Sequence, residues 1–304
     1  MRPFAAALAA LFALMLAACD SGRIGAVRID PAIQSLVPGN TTMLAGADID
    51  SLRNTEFYQR AIRVAGADGL DSLTRLTGID PRKDVHEVLT CSNGKTAVVI
   101  ADGRWDNNAV QQHLASNGAV RSDFHGRTLY TSGKSAVWFP RSRFAAAGPT
   151  DAVKQLIAAQ DGEHGIPDAF RDKLNVVPEG SQFWLAYIGS PAALAPQTPQ
   201  GSTLGNILEM VRGVNGLALG LDLRTGLHLE AQVTCNAEDD ARRVRDALRG
   251  LIGMGRLSTP DNQPDLLKVF DAIEVNRDHT AVNVSAKLPQ NLVDKFLDTW
   301  LKRR

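Results

Sequence analysis

The residues best suited to nucleophilic, redox or metal chemistry here are three cysteines and six histidines, and their spacing decides what they could do. His86-Glu87 opens like a zinc-protease helix motif, but Thr90 stands where the second histidine belongs. The other histidines, His113, His125, His164, His228 and His279, are scattered at no metal-ligand spacing. Asp48-x-Asp50 lacks the remaining oxygen ligands of a calcium loop. It falls where a strand hands over to a helix, so Asp50 reads as a helix N-cap. Gly-x-Ser-x-Gly, Cys-x-x-Cys and a glycine-rich phosphate loop are all missing, and no Ser-x-x-Lys has a fitting context. The expectation is a protein that is not an enzyme, with no metal and no cofactor.

Cys19 is the exception. Arg2 supplies a positive start, and Phe4 to Leu16 form an apolar run too short to span a bilayer, so residues 1–18 read as a cleaved signal peptide. The run ends in Leu16-Ala17-Ala18-Cys19, which resembles the bacterial lipobox, whose cysteine thiol is acylated and becomes the new N-terminus. Residues 19–36 then form the lipidated N-terminus and tether, with Ile33 and Leu36 already apolar enough to pack on the body. Asp20 resembles an inner-membrane retention signal of enteric bacteria, a rule that varies between phyla, so both inner and outer membrane stay open.

In an oxidising compartment Cys91 and Cys235 admit two readings, a disulfide or two buried thiols, and the second is favoured. The chain of 304 residues holds 33 Lys+Arg against 33 Asp+Glu. Removing residues 1–18 takes away Arg2 alone among charged residues, which leaves 32 basic against 33 acidic. A neutral body excludes nucleic acid, which needs a basic face. Arg141 and Arg143, and the arginines of the helix from Ala241, read as solvated faces. The long loops Pro191–Gly201 and Gly253–Pro264 are better contact surfaces.

These residues must be positioned by two similar halves. Val37-Pro38-Gly39 and Val177-Pro178-Glu179 stand 140 residues apart, as do Pro149-Thr150 and Pro289-Gln290, with Asn93-Gly94 and Thr225-Gly226 between them. The first repeat is expected over residues 37–165 and the second over 166–304. In the first, strands are expected at 42–47, 85–91 and 96–101, and at 128–130, 136–139 and 143–146. Helices are expected from Asp50 through Leu70, Leu73 and Leu76, from Asp106 to Leu114 and over 150–160. In the second, strands are expected at 182–188, 217–223, 227–233 and 281–286, with helices at 203–211, 238–251 and 266–270 and one ending at Trp300. The element order gives the expected class: α+β, two tandem ferredoxin-like split βαβ sandwiches, antiparallel sheets with helices on one face.

Three strings carry a resemblance: Val37-Pro38-Gly39 with Gly46-Ala47-Asp48-Ile49-Asp50-Ser51-Leu52; Thr77-Gly78-Ile79-Asp80-Pro81-Arg82-Lys83-Asp84-Val85; and Asp102-Gly103-Arg104-Trp105-Asp106. They resemble a family of bacterial exported lipoproteins built of two tandem α+β repeats. The resemblance implies a paired α+β architecture in the cell envelope and supplies no catalytic residue.

The function expected is that of a membrane-tethered, non-enzymatic lipoprotein on the periplasmic face, binding or scaffolding another envelope component. Its partners would be the membrane, through the acyl chains, and an envelope protein. The alternative is a carrier of a small apolar ligand or lipid in an aliphatic cavity of roughly 300–1,000 Å³. A hydrolase assembled from distant residues is the third reading.

Overall fold

A computed structural model of the chain describes residues 23–24, 27–65, 71, 74–75, 77–190 and 211–301. Cys19, the expected helix residues Leu70, Leu73 and Leu76, the Pro191–Gly201 loop and most of the helix expected at 203–211 lie outside the described residues. Before the main sheet come β1 (Arg23–Ile24), β2 (Val27–Arg28) and α1 (Pro31–Gln34). The first half follows with β3 (Met43–Asp48), α2 (Ile49–Arg53), α3 (Glu56–Ala65), α4 (Pro81–Asp84), β4 (Val85–Ser92), β5 (Ala97–Gly103) and α5 (Asn107–Ser116). It closes with β6 (Val120–Phe124), β7 (Arg127–Ser132), β8 (Ser135–Arg141), β9 (Phe144–Pro149) and α6 (Thr150–Ala159). A 3-10 turn (Asp168–Phe170) and α7 (Arg171–Asn175) lead to the second half, β10 (Phe183–Ile188), β11 (Val214–Asp222), β12 (Gly226–Cys235) and α8 (Glu238–Leu257). The last elements are α9 (Pro264–Asp271), β13 (Ile273–Asp278), β14 (Ala281–Pro289) and α10 (Gln290–Leu301).

The protein is α+β, with antiparallel pairing throughout, as expected. It departs from two separate sandwiches in one respect: twelve strands form a single sheet in the order β13-β14-β12-β11-β10-β3-β4-β5-β9-β8-β7-β6. Each half traces the same path, β3-β4-β5-β9-β8 and β10-β11-β12-β14-β13, and the β6–β7 hairpin extends the first. A split βαβ occurs once in each half, since β9 inserts between β5 and β8, and β14 between β12 and β13. Its first strand, however, is the second strand of a hairpin. The partner strand of that hairpin takes the place a ferredoxin-like unit gives to its last strand.

Helices also cover both faces, where one was expected. In β4, β5, β7 and β8, successive residues belong to different cores: Leu89, Ile100, Leu129 and Trp138 to one, Val88, Ala101, Tyr130 and Phe139 to the other. Successive side chains of a strand point to opposite faces, so such unbroken apolar runs require cover on both. The first core is completed by Ile29, Ile33 and Leu36, by Val153, Leu156 and Ile157 of α6, and by Phe170, Leu174 and Val177. The packed body therefore begins at Val27, earlier than the tether reading had it, and this core draws on residues either side of the expected boundary at 165/166. The opposite face receives Val110 and Leu114 of α5. In the second half, Ala241 and Val244 of α8 pack on Val214, Cys235, Val275 and Val282.

The halves meet where β3 pairs with β10, from Met43↔Tyr187 to Ala47↔Phe183. Gly46 stands directly opposite Trp184, and a Cβ there would lie 2.3 Å from the indole. Gly46 is thus the notch that lets a buried tryptophan cross the seam. Gly46→Ala is expected to destabilise the fold by about 2–3 kcal/mol through overpacking, read as a shifted urea midpoint at unchanged slope. In a double-mutant cycle Trp184→Leu should recover most of that loss, and additive effects would refute the notch.

Candidate functional site

At one end of the seam the strands run out into a polar cleft. β3 ends at Asp48, whose carboxylate accepts the Ser51 N–H at 2.9 Å and so caps α2. The cap is Asp48 where Asp50 had been expected. Asp50 is freed for the first turn, where it accepts Arg53 Nη1 at 2.8 Å and His86 Nδ1 at 2.7 Å. Arg53 is held in turn by donating Nη2 to the Val85 carbonyl at 2.8 Å. A break in register between Val85 and Glu87 marks a bulge at His86, a device that re-aims a side chain at a strand end.

The next three acidic side chains form a row. Asp48 faces Glu87 across β3–β4, and Glu87 faces Asp102 across β4–β5. Like charges directly opposite one another are unfavourable, so the row requires compensation. Asp102, only 4% exposed, is neutralised by Arg143, which donates through Nε at 2.5 Å and through Nη2, and also reaches Asp30 at 3.4 Å. Glu87 has no such cation among the described residues. Burial pushes its carboxyl up to about 7, reinforced by Asp30, Asp102 and Asp48 and opposed by a hydrogen bond from the Asp30 backbone N–H.

Two adjoining cavities share Asp50, His86 and Asp102. One, of about 420 Å³, runs under the loop before β10 and is lined by Arg28, Glu87, Glu179, Gln182 and Arg224 among others. Gln182, fully buried, fixes that loop by accepting the Leu223 N–H at 2.6 Å and donating to the Gly180 carbonyl. Arg224 holds the Asp222 carboxyl far below the usual carboxylate range. The second cavity, of about 710 Å³, is lined by Arg104, Trp105, Ser142 and Arg143. His86 Nε2 and Trp105 Nε1 are both withdrawn from solvent and have no hydrogen-bond partner among the described residues.

The other candidate residues are not brought together. His113 bonds to the Arg75 carbonyl and His125 to Asp161, so the two do not meet. Cys91 and Cys235 are free, buried thiols in different cores. Four strand steps separate β4 from β12, about 19 Å at ~4.8 Å each, whereas a disulfide needs Cα atoms within ~7 Å. The disulfide alternative therefore does not fit this fold. Burial also pushes the Cys91 thiol up to about 12, away from thiolate chemistry. Cys91 borders a third cavity of about 380 Å³ between α6 and the β4–β5 turn, whose lining mixes Asn40, Ser92, Asn93 and Glu163 with Val98 and Leu156. None of these three cavities is the aliphatic pocket that a lipid carrier requires.

The same fold occurs in the crystal structures of TP0453. Crystal form III matches with a TM-score of 0.52 and 12% sequence identity, covering 87% of this chain and 97% of that one. Crystal form IV matches with a TM-score of 0.51 and 12% identity over 88% and 96%. No protein-family model matches the chain, and no curated protein matches it.

Glu87 makes the site testable through pH. Its carboxyl binds a proton more tightly in the folded state than the ordinary value of 4.5, so the fold is most favoured below that pH and loses stability as pH rises toward 7. Glu87→Gln should remove this slope and leave the variant roughly 2–3 kcal/mol more stable than wild type at pH 8, with little difference at pH 4. Parallel melts that kept the same pH slope in both proteins would exclude a partly buried Glu87 whose carboxyl is raised toward 7.

Proposed function

We propose that this chain is a lipid-anchored protein of the bacterial cell envelope that acts by binding at the cleft between its halves, without catalysing a reaction. The observation that carries this reading is the short chain between the acylation cysteine and the cleft. Cys19 lies only eight residues before Val27, at most about 27 Å of extended chain, and Val27 and Arg28 line the cleft wall. Acylation would hold the mouth of the cleft close to the membrane surface and raise its effective concentration for anything there. The binding reading is supported by the lack of a hydroxyl or thiol bonded to His86 Nε2 among the described residues. An Asp–His pair without such a partner has no side-chain nucleophile to activate among the described residues. Placement on the periplasmic face and membership of the exported lipoprotein family belong to the same proposal.

Cys19→Ala should move the protein from the membrane to the soluble fraction by at least tenfold, as followed by fractionation and immunoblotting. A variant that remained as firmly membrane-bound as wild type would overturn the anchor.

A further inference from the structure

We infer that the cleft is a primary-ammonium site, in which His86 Nε2 and the Glu87 carboxylate accept N–H groups from an organic amine. The inference rests on the binding reading above and names the ligand class. A carboxylate only accepts hydrogen bonds, so in the neutral imidazole Asp50 fixes the proton on Nδ1 of His86 and the lone pair lies on Nε2. Nε2 is covered and unpartnered, and buried polar atoms in native proteins are nearly always partnered. A donor is the missing group.

Most other acceptors around it are already committed. Asp48 takes the N–H and the O–H of Ser51, Asp50 takes His86 and Arg53, and Asp102 takes Arg143. Glu87 accepts from the Asp30 backbone N–H, and a carboxylate has room for further donors. The bulge brings these two free acceptors, on consecutive residues, into one cavity wall. In that wall Asp50 is paired with Arg53, Asp102 with Arg143 and Arg224 with Asp222, which leaves Asp48 and Glu87 as carboxylates with no ion pair among the described residues, facing Arg28. Such a wall favours a cation over an anion. Among the described residues no three His, Cys, Asp or Glu side chains are placed to hold a metal ion. The cation that fits brings its own N–H donors. The His86 side chain is 23% exposed although Nε2 is covered, so the donor reaches it through a small shift of neighbouring side chains, with the two adjoining cavities as room.

Two sources share this chemistry: a free amine, or an ethanolamine-type lipid headgroup. The phosphate of such a headgroup would meet Arg28, which is exposed and has no ion-pair partner among the described residues. The test is isothermal titration of the detergent-solubilised, acylated full-length mature protein at pH 8 with ethanolamine and with choline. Ethanolamine should bind saturably and choline at least tenfold more weakly, because choline has no N–H to donate. His86→Gln should weaken ethanolamine at least tenfold. Equal binding of the two amines by unaltered protein, or no saturable binding of ethanolamine, overturns the site, and neither result depends on a variant folding. Glycerophosphoethanolamine binding more tightly than ethanolamine assigns the headgroup source; binding equally or more weakly assigns the free amine. If ethanolamine fails while a protein partner co-purifies from the same preparation, the ammonium site falls and the binding reading stands.

Discussion

Everything in this molecule depends on one backbone ladder, the antiparallel pairing of β3 with β10. Each half alone would leave that strand as an open edge of unpaired N–H and C=O groups, an invitation to non-native pairing. Joined, the edges disappear into the middle of a twelve-stranded sheet, and only β6 and β13 remain outermost. The ladder tolerates a tryptophan because its neighbour has no side chain, so Gly46 and Trp184 are two parts of one contact. The ladder also builds the cleft. The Asp48 N–H donates to the Gln182 carbonyl at 2.8 Å, just as the strands end, and this ties the carboxylate row of the first half to the loop of the second.

Electrostatics explain why the cleft stays polar at the edge of a hydrophobic core. Three opposed carboxylates would repel one another, and the fold answers differently at each. Asp48 is turned into a helix cap, Asp102 is paired with Arg143, and Glu87 is kept protonated up to near neutral pH. The N-terminal segment takes part, since Asp30 touches both Glu87 and Arg143. Residues that lead toward Cys19, the proposed acylation site, are thereby fastened to the residues that line the cleft. The proposed anchor and the proposed binding site would thus be linked through a few side chains at one end of the sheet.

Much of the fold was legible in sequence, and the misses have physical causes. Asp106 caps α5 and Gly118, at φ +83°, closes it, as the residue types indicate. Pro149 ends β9 and Pro289 ends β14, each directly before a helix, as their 140-residue spacing suggests. The strands missed in the twelve-stranded sheet, β6 and β13, are its two edges: Arg121, Ser122 and Asp123 interrupt the apolar pattern in β6, and in β13 the alternation is limited to Ile273 and Val275 before Asn276, Arg277 and Asp278. Helix α8 runs to Leu257, past Gly253 and Gly255 that read as a loop. A Cβ at Gly255 would lie 2.4 Å from the Phe270 ring, so that glycine is a packing notch for α9. The cleft itself was not legible. His86, Glu87, Asp48 and Asp102 converge only through strand register and a one-residue bulge, and neither leaves a spacing signature in the chain.

The central claim is that an acylated chain holds a ligand at His86. Native mass spectrometry of the protein gently solubilised from its own membranes, run beside the His86→Gln variant, tests it most directly. The account predicts an N-terminus acylated at Cys19 in both proteins, and a non-covalently bound mass, lost on activation, in wild type alone. An N-terminus without acylation, or identical bound masses in the two proteins, would contradict it.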